Sequence, residues 1–219
     1  MPTGVRGSRI ALAGLLFAGL FLAAWLLLRS SPDFDATDQQ LRAYYEDPDQ
    51  RQASIIAALY VVPLAAIAFI WFMAALRDRY VRSSREHTIL STAHVVAGTL
   101  VVVSLFLLAT VELSVGWLAE TSEALDVDGA RALLALGQAS SDIMALRAAA
   151  VFVAISATRG VRSGLFPRAF GALSVLVAVT LLFVYSSAQW VSLLFPAWVA
   201  ASSVMILIRR RDGGQVDGA

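Results

Sequence analysis

Long apolar segments separated by short polar ones run through the whole chain. A helix needs about 20 apolar residues, at a rise of about 1.5 Å per residue, to cross roughly 30 Å of hydrocarbon. Five segments meet this requirement, and a sixth is shorter and contains an arginine. In chain order the six segments are 10–28, 53–76, 88–118, 142–158, 167–185 and 190–208. The pattern predicts an all-α polytopic membrane protein with one domain over 1–219 and six transmembrane helices in a bundle.

The arginines indicate whether the short fourth segment, 142–158, crosses the membrane. Cytoplasmic loops of membrane proteins are enriched in basic residues. If all six segments cross, twelve of the 17 basic residues share one side: Arg6, Arg9, Arg77, Arg79, Arg82, Arg85, Arg159, Arg162, Arg168, Arg209, Arg210 and Arg211. Without the fourth crossing, the arginines at 159–168 and at 209–211 could not lie together. We therefore expect six crossings in the plasma membrane, with both termini in the cytoplasm.

The first outward segment, 29–52, has the pattern of a short amphipathic helix. Asp35 or Thr37 can cap its start, and Pro48 would end it. Three apolar or aromatic residues fall on one helical face at spacings of three and four: Leu41, Tyr44 and Tyr45. The segment also contains six acidic residues, but their spacing does not match an EF-hand loop. We expect a helix that lies across the outer face of the bundle.

The second outward segment, 119–141, predicts another short helix on the outer face. Asp126 or Asp128 can start it, and Gly137 would weaken its end. Its apolar residues are Leu133, Leu134 and Leu136. The expected architecture is therefore six spans with two short amphipathic helices on the outer face.

Three ionisable side chains fall at membrane depth, where charged groups are costly and normally face a partner or a polar cavity. Two of them, Glu112 and Arg147, lie five or six residues from the outer ends of consecutive segments, or about 8–9 Å below the outer surface. Consecutive antiparallel helices are neighbours, so we predict a Glu112–Arg147 ion pair that Asp142 could join from above. The pair either fixes helix register alone or forms the polar floor of an outward-facing cavity.

The third ionisable group, His94, marks a second candidate site together with Tyr60, as a polar or proton-relay position. His87 is two turns from His94 on nearly the same face, about 10.5 Å away, which is too far for both to hold one metal ion. The chain has no other histidine, so we expect no haem, metal or other cofactor. The alternative for His94 is a hydrogen-bonded residue that packs helices.

Composition narrows the classes of function. Hydrophobic residues make up 58% of the chain, against about 45–50% in soluble domains, and a net charge of +1 does not indicate nucleic-acid binding. The chain has no cysteine and no lysine, which excludes disulfides, thiolate sites and Schiff-base chemistry. It also contains no HExxH, GxSxG, Walker A or dinucleotide-binding motif. We assign no catalytic residue and do not expect an enzyme.

Part of the chain resembles a known group of proteins. The residues that carry the resemblance are Tyr44-Tyr45-Glu46-Asp47, Arg51, Ala57–Tyr60 and the run Phe69–Arg77. They are similar to uncharacterised multi-pass membrane proteins of high-GC Gram-positive bacteria, in which a short outer helix precedes a second span ending in Trp-Phe-x-x-x-Leu-Arg. The resemblance implies a six-helix bundle in the plasma membrane and no catalytic residue.

Two classes of function agree with these observations. The first is a non-enzymatic bundle that binds lipid or a small molecule, or an accessory subunit of an envelope complex. The second is a small transporter or channel-like protein, which at this length would need to form oligomers because larger carriers are built from repeats. The expected partners are membrane lipids, a second copy of the chain or an envelope complex.

Overall fold

All regular structure in the described residues is helical. The computed structural model describes residues 3–83, 88–121, 125–184 and 189–214. Seven helices follow one another in these ranges: α1 (Thr3–Leu28), α2 (Asp38–Glu46), α3 (48–83), α4 (Thr88–Thr121), α5 (Val127–Arg162), α6 (Arg168–Phe183) and α7 (189–214, with a 3₁₀ first turn). The prediction of an all-α membrane bundle is confirmed.

In the part of the chain that the structure describes, five helices are long and apolar enough to cross a membrane, as expected of an integral membrane protein. They are α1, α3, α4, α5 and α7. The segment that was doubtful from hydropathy, 142–158, belongs to α5, which runs unbroken over 36 residues. By contrast α6, which covers the seemingly clear fifth segment, has only 16 residues.

Two of the long helices contain a π-turn. In α3 the turn covers Ala57–Val61, and in α5 it covers Ser141–Ala145. A π-turn adds one residue to a helix without ending it, so the helical faces before and after it are offset. The second outward segment, expected as a separate helix, is consequently the first four turns of α5. Gly137 does not end that helix, because α5 continues past it and buries it against Val111 of α4.

The bundle closes around an aromatic layer. Helix α1 packs between α3 and α7, α4 packs between α3 and α5, and α6 packs mainly against α5. Four helices contribute one ring each to the layer, namely Phe17, Phe69, Phe152 and Phe195. Phe69 lies 5.1–5.3 Å, centroid to centroid, from each of the other three. All four rings are buried, so the layer fills the middle of the bundle.

One end of the bundle, which we call the acidic end, carries segment 29–47 and the start of α5. Thr37 caps α2 as predicted, and the side chain of Gln40 completes a capping box. Pro48 both follows the end of α2 and occupies the first turn of α3, where Asp47 is the N-cap. Hydrogen bonds from the Gln50 side chain and from two backbone N–H groups lower the pKa of Asp47. Sequence-level capping rules therefore located this corner correctly.

An apolar cluster holds α2 down on the acidic end. The predicted face of α2 is buried, and it packs with residues of α4 and α5 in one cluster: Leu41, Tyr44, Tyr45, Val115, Leu125, Val127, Ala130 and Leu134. Leu133 packs partly against this cluster, whereas Leu136 is exposed. The first four turns of α5 thus support α2, as the amphipathic pattern predicts.

Candidate functional site

A cavity of about 480 Å³ opens at the acidic end, between the ends of α1 and α4 and the starts of α5 and α7. The apolar residues of its wall are Trp25, Leu28, Pro32, Phe34, Leu108, Val111 and Leu134. Polar side chains complete the lining: Arg29, Ser31, Asp33, Asp35, Glu112, Gln138, Ser141 and Ser192. The volume falls within the range of about 300–1,000 Å³ that is usual for small-molecule sites.

The loop between α1 and α2 forms the rim of this cavity, and Arg131 of α5 fixes the loop. Its Nε donates a hydrogen bond to the carbonyl oxygen of Phe34 at 3.2 Å. Its Nη2 donates to the carbonyl oxygen of Ala36 at 3.0 Å and to Asp38 Oδ1 at 2.8 Å. One guanidinium therefore joins the rim, the start of α2 and α5.

Glu112 is the ionisable group that the helices place in the cavity wall. It lies on α4, and its Oε2 atom is buried without a hydrogen-bond partner. The Tyr44 and Tyr45 phenols lie close enough to feel its charge: burial raises the pKa of each, and the Glu112 carboxylate raises it further. The ionisable residue predicted at this depth therefore lies in the wall of a cavity.

Arg147 does not share the cavity with Glu112. The described residues contain no Glu112–Arg147 salt bridge within 4.0 Å, and Arg147 Nη1 is buried without a hydrogen-bond partner. Arg147 is half-buried on α5, directly after the π-turn. Equal depth in the membrane did not bring the two charges within 4.0 Å of each other.

Asp142 is joined to the cavity indirectly. It is buried within the π-turn of α5, and Gln138 Nε2 donates a hydrogen bond to Asp142 Oδ2 at 3.2 Å. Gln138 is one turn earlier and lines the cavity. Asp142 therefore orients a lining amide, and it does not itself line the wall.

His94 lies on the other side of the aromatic layer, toward the end of the bundle where α3 and α5 terminate. It is fully buried, its ring is 4.5 Å from that of Phe152, and its Nδ1 is 3.2 Å from Ser156 Oγ. The Tyr80 hydroxyl donates to the Ser156 carbonyl oxygen at 2.8 Å. Tyr60 is not part of this group, since it is 59% exposed on the π-turn of α3. The structure thus separates the two residues that the sequence grouped.

Sequence reasoning missed Arg159, which was counted among the loop arginines. Helix α5 continues to Arg162, and Arg159 is buried with its guanidinium carbon 4.7 Å from the centre of the Tyr80 ring. The signal that could have found it is spacing, because Arg159 follows the buried Ser156 by three residues and so shares its face. The polar group formed by His94, Ser156, Tyr80 and Arg159 ties α3, α4 and α5 together.

Known proteins offer no guide to this site. No protein family matches the chain, no characterised protein is similar to it, and no solved structure matches its fold. Within the described residues, no group of three or more His, Asp or Glu side chains is placed to hold a metal ion. The cavity at the acidic end is accordingly the feature whose geometry bears most directly on function.

Proposed function

We propose that this protein is a membrane-embedded binding protein that takes up a small amphipathic molecule in the cavity at the acidic end. The observation that carries the proposal is the placement of Glu112 in the wall of a 480 Å³ cavity that combines apolar side chains with polar and charged ones. Ligand sites characteristically combine an apolar wall with a few polar groups that fix orientation. A lipid or a similar amphiphile has matching chemistry.

The arginine distribution supports an orientation in which the cavity faces the outside. The acidic end carries segment 29–47, with five acidic residues, and the opposite end carries most of the arginines. By the positive-inside rule the arginine-rich end is cytoplasmic. We therefore propose the plasma membrane as the location and the cytoplasm as the side of both termini. We also keep, as a proposal, membership of the Gram-positive family that residues 44–77 resemble.

The closed centre of the bundle favours binding over conduction. Phe17 of the aromatic layer precedes Trp25 of the cavity wall by eight residues, or about 12 Å along α1. The buried rings of the layer separate the cavity from the polar group around His94. A channel-like or transporter function would require this layer to open, which is a larger change than filling a preformed cavity. A second copy of the chain or an envelope complex remains the proposed protein partner.

Filling the cavity tests the proposal. Leu108 is half-buried and lines the cavity, whereas its neighbour Leu107 is half-buried outside it. We expect protein purified in mild detergent to retain a lipid-sized molecule by native mass spectrometry. Leu108→Trp should lose that molecule and Leu107→Trp should retain it. Equal retention by both variants, or an empty wild-type protein that binds no added amphiphile, would contradict the proposed function.

A further inference from the structure

We infer that the polar end of the ligand is a cation of the ammonium class, held by the carboxylate of Glu112. This inference rests on the proposed function and specifies which amphiphiles the cavity accepts. It follows from the orphaned oxygen of Glu112, from the balance of charge around the cavity and from the aromatic residues beside it.

The first support is the state of the Glu112 carboxylate. Its Oε2 atom has no hydrogen-bond partner and is buried. An ionised carboxylate accepts hydrogen bonds and donates none, and a charged group removed from water needs a partner of opposite charge. The arginine expected to fill this role, Arg147, forms no salt bridge with Glu112 within 4.0 Å in the described ranges of the chain. A cationic group on the ligand would supply the missing partner.

The second support is the balance of charge around the cavity. Three carboxylates line it, Glu112, Asp33 and Asp35, against one guanidinium, Arg29. The nearby Arg131 is not available as a second cation, because it donates to the backbone of the rim and to Asp38. A lining with two more negative than positive groups favours cations and disfavours phosphate or carboxylate head groups.

The third support is the presence of aromatic rings in the same wall. Trp25 and Phe34 both line the cavity. Ammonium groups bind to the faces of aromatic rings, and tryptophan is the strongest of these partners. A site with a carboxylate and aromatic rings therefore suits an alkylammonium group, whereas neither feature attracts an anion.

Three amphiphiles with the same decyl chain test the inference: decyltrimethylammonium, decyl sulfate and decanol. The protein is held in nanodiscs of zwitterionic lipid, and empty nanodiscs give the partitioning background. Binding is followed by calorimetry and by the change in Trp25 fluorescence, with Trp25→Phe as the blank. We expect decyltrimethylammonium to bind about tenfold or more tightly than either of the others, since it alone carries a charge opposite to that of the Glu112 carboxylate.

Two carboxylate variants assign the preference to one residue. Glu112→Gln should lose about tenfold of the preference for decyltrimethylammonium and bind decanol as wild type does, because the buried charge is gone and the apolar wall is intact. Asp33, Asp35 and the aromatic rings would leave a weaker preference. Glu120→Gln, at an exposed position on the same helix, should keep the wild-type preference. If Glu112→Gln fails to fold, Glu112→Asp and the wild-type comparison still measure the preference for a cation.

The outcomes separate the inference from the proposed function. Equal binding of the three amphiphiles by the wild-type protein overturns the inference and leaves the binding function standing. A cation preference that is undiminished in Glu112→Gln also overturns it, since the preference would then arise at the exposed rim. Failure of all three to bind above the empty-nanodisc background overturns the proposed function itself.

Discussion

Glu112 and Arg147 provide a direct test of how far depth in a membrane predicts contact. No salt bridge within 4.0 Å joins them, so each charge should be independent of the other. We expect the changes in unfolding free energy of Glu112→Gln and Arg147→Gln to add in the double variant within about 0.5 kcal/mol. Thermal unfolding of the wild type, the two single variants and the double variant in one detergent measures this double-mutant cycle.

The opposite result would restore the ion pair predicted from the sequence. Removing one member of a buried pair costs about 3–5 kcal/mol, and removing both recovers much of that loss. A double variant that is more stable than the sum of the single ones would show that Arg147 reaches Glu112 in the membrane. Arg42→Gln is a suitable reference, because Arg42 forms its salt bridge with Glu46 of the same helix, at 3.8 Å.

The phenols of Tyr44 and Tyr45 report on the charge of Glu112. Burial and that charge both raise the pKa of each phenol above its ordinary value of 10.0. Because the folded-state pKa is the raised one, the resulting stability is complete below pH of about 10 and is lost as pH rises through the folded-state pKa. In Glu112→Gln we expect both phenols to ionise at lower pH than in wild type, but still above 10, since burial remains.

Ultraviolet absorbance of the phenolate measures this effect, with Tyr45→Phe identifying the contribution of one ring. Glu120→Gln should leave the titration unchanged. Identical titrations of wild type and Glu112→Gln would mean that the Glu112 carboxylate is neutral or distant from the phenols. Either result would also weaken its assignment as the partner of a cation.

The sequence could predict how deep in the membrane a single residue lies. It could not predict on which side of its helix the side chain lies. Counting from the segment ends correctly placed Glu112 near the acidic end. Direction depends on rotation about the helix axis, and the π-turn at Ser141–Ala145 changes that rotation by one residue just before Arg147. A π-turn has no recognisable sequence pattern here, so the pairing of Arg147 could not be checked from spacing alone.

Arg131 makes the rim of the cavity depend on α5. Replacing it with glutamine removes the charge and the fork geometry that serve two backbone carbonyls and Asp38. We expect Arg131→Gln to lower the local stability of residues 33–38 by about 1–3 kcal/mol, seen as faster amide hydrogen exchange. A spin label at Asp33 should become more mobile, and decyltrimethylammonium should bind more weakly.

Arg42→Gln is again the matched control, because it lies on the same face of the molecule without touching the rim. Its exchange pattern at residues 33–38 should equal that of wild type. If Arg131→Gln also leaves exchange in the rim unchanged, the loop is held by the packing of α2 and not by the guanidinium. Labels at Leu41 and Leu134, both buried, should remain immobile in all three proteins.

The elements themselves were predictable to different degrees. The bounds of α2 were predicted well, because Thr37 and Pro48 act on the helix ends directly beside them. The full length of α5 was not predicted, because Gly137 and the polar run Ser140-Ser141-Asp142 have the composition of a linker. In the structure Gly137 permits a close approach to Val111, and Asp142 receives a hydrogen bond from Gln138. Tertiary contacts thus outweighed the helix-breaking signals.

The bundle as a whole divides into a cavity, an aromatic layer and a polar group below that layer. Hydropathy could predict that helices cross, because it depends on length and composition alone. It could not predict the layer, since Phe17, Phe69, Phe152 and Phe195 come from four helices distant in sequence. The cavity likewise depends on how the ends of α1, α4, α5 and α7 meet, which no single segment specifies.

The side of the membrane on which α7 ends depends on the shortest of the hydrophobic helices, α6. Its 16 residues measure about 24 Å along the axis, less than the roughly 30 Å of a bilayer core. Many of its residues are exposed and apolar, including Leu173, Leu176 and Val179, which indicates contact with lipid. The buried hydrogen bond from Trp198 Nε1 of α7 to Ser174 Oγ, at 2.8 Å, keeps α6 beside α7. These features favour a crossing with local thinning of the bilayer.

Reporter fusions decide whether α6 crosses and which end faces the cytoplasm. If all six hydrophobic helices cross, fusions after Arg162 and Arg211 should both report the cytoplasm, and fusions near Asp38 and Asp126 should report the outside. An external signal at Arg211 together with a cytoplasmic one at Arg162 would mean that α6 does not cross. External signals at both arginines, with cytoplasmic signals at both aspartates, would instead invert the molecule. In that case the cavity would face the cytoplasm and an amphiphile would have to enter it from the inner leaflet. An arginine-rich end on the outside would also contradict the positive-inside rule, under which short arginine-bearing loops remain cytoplasmic.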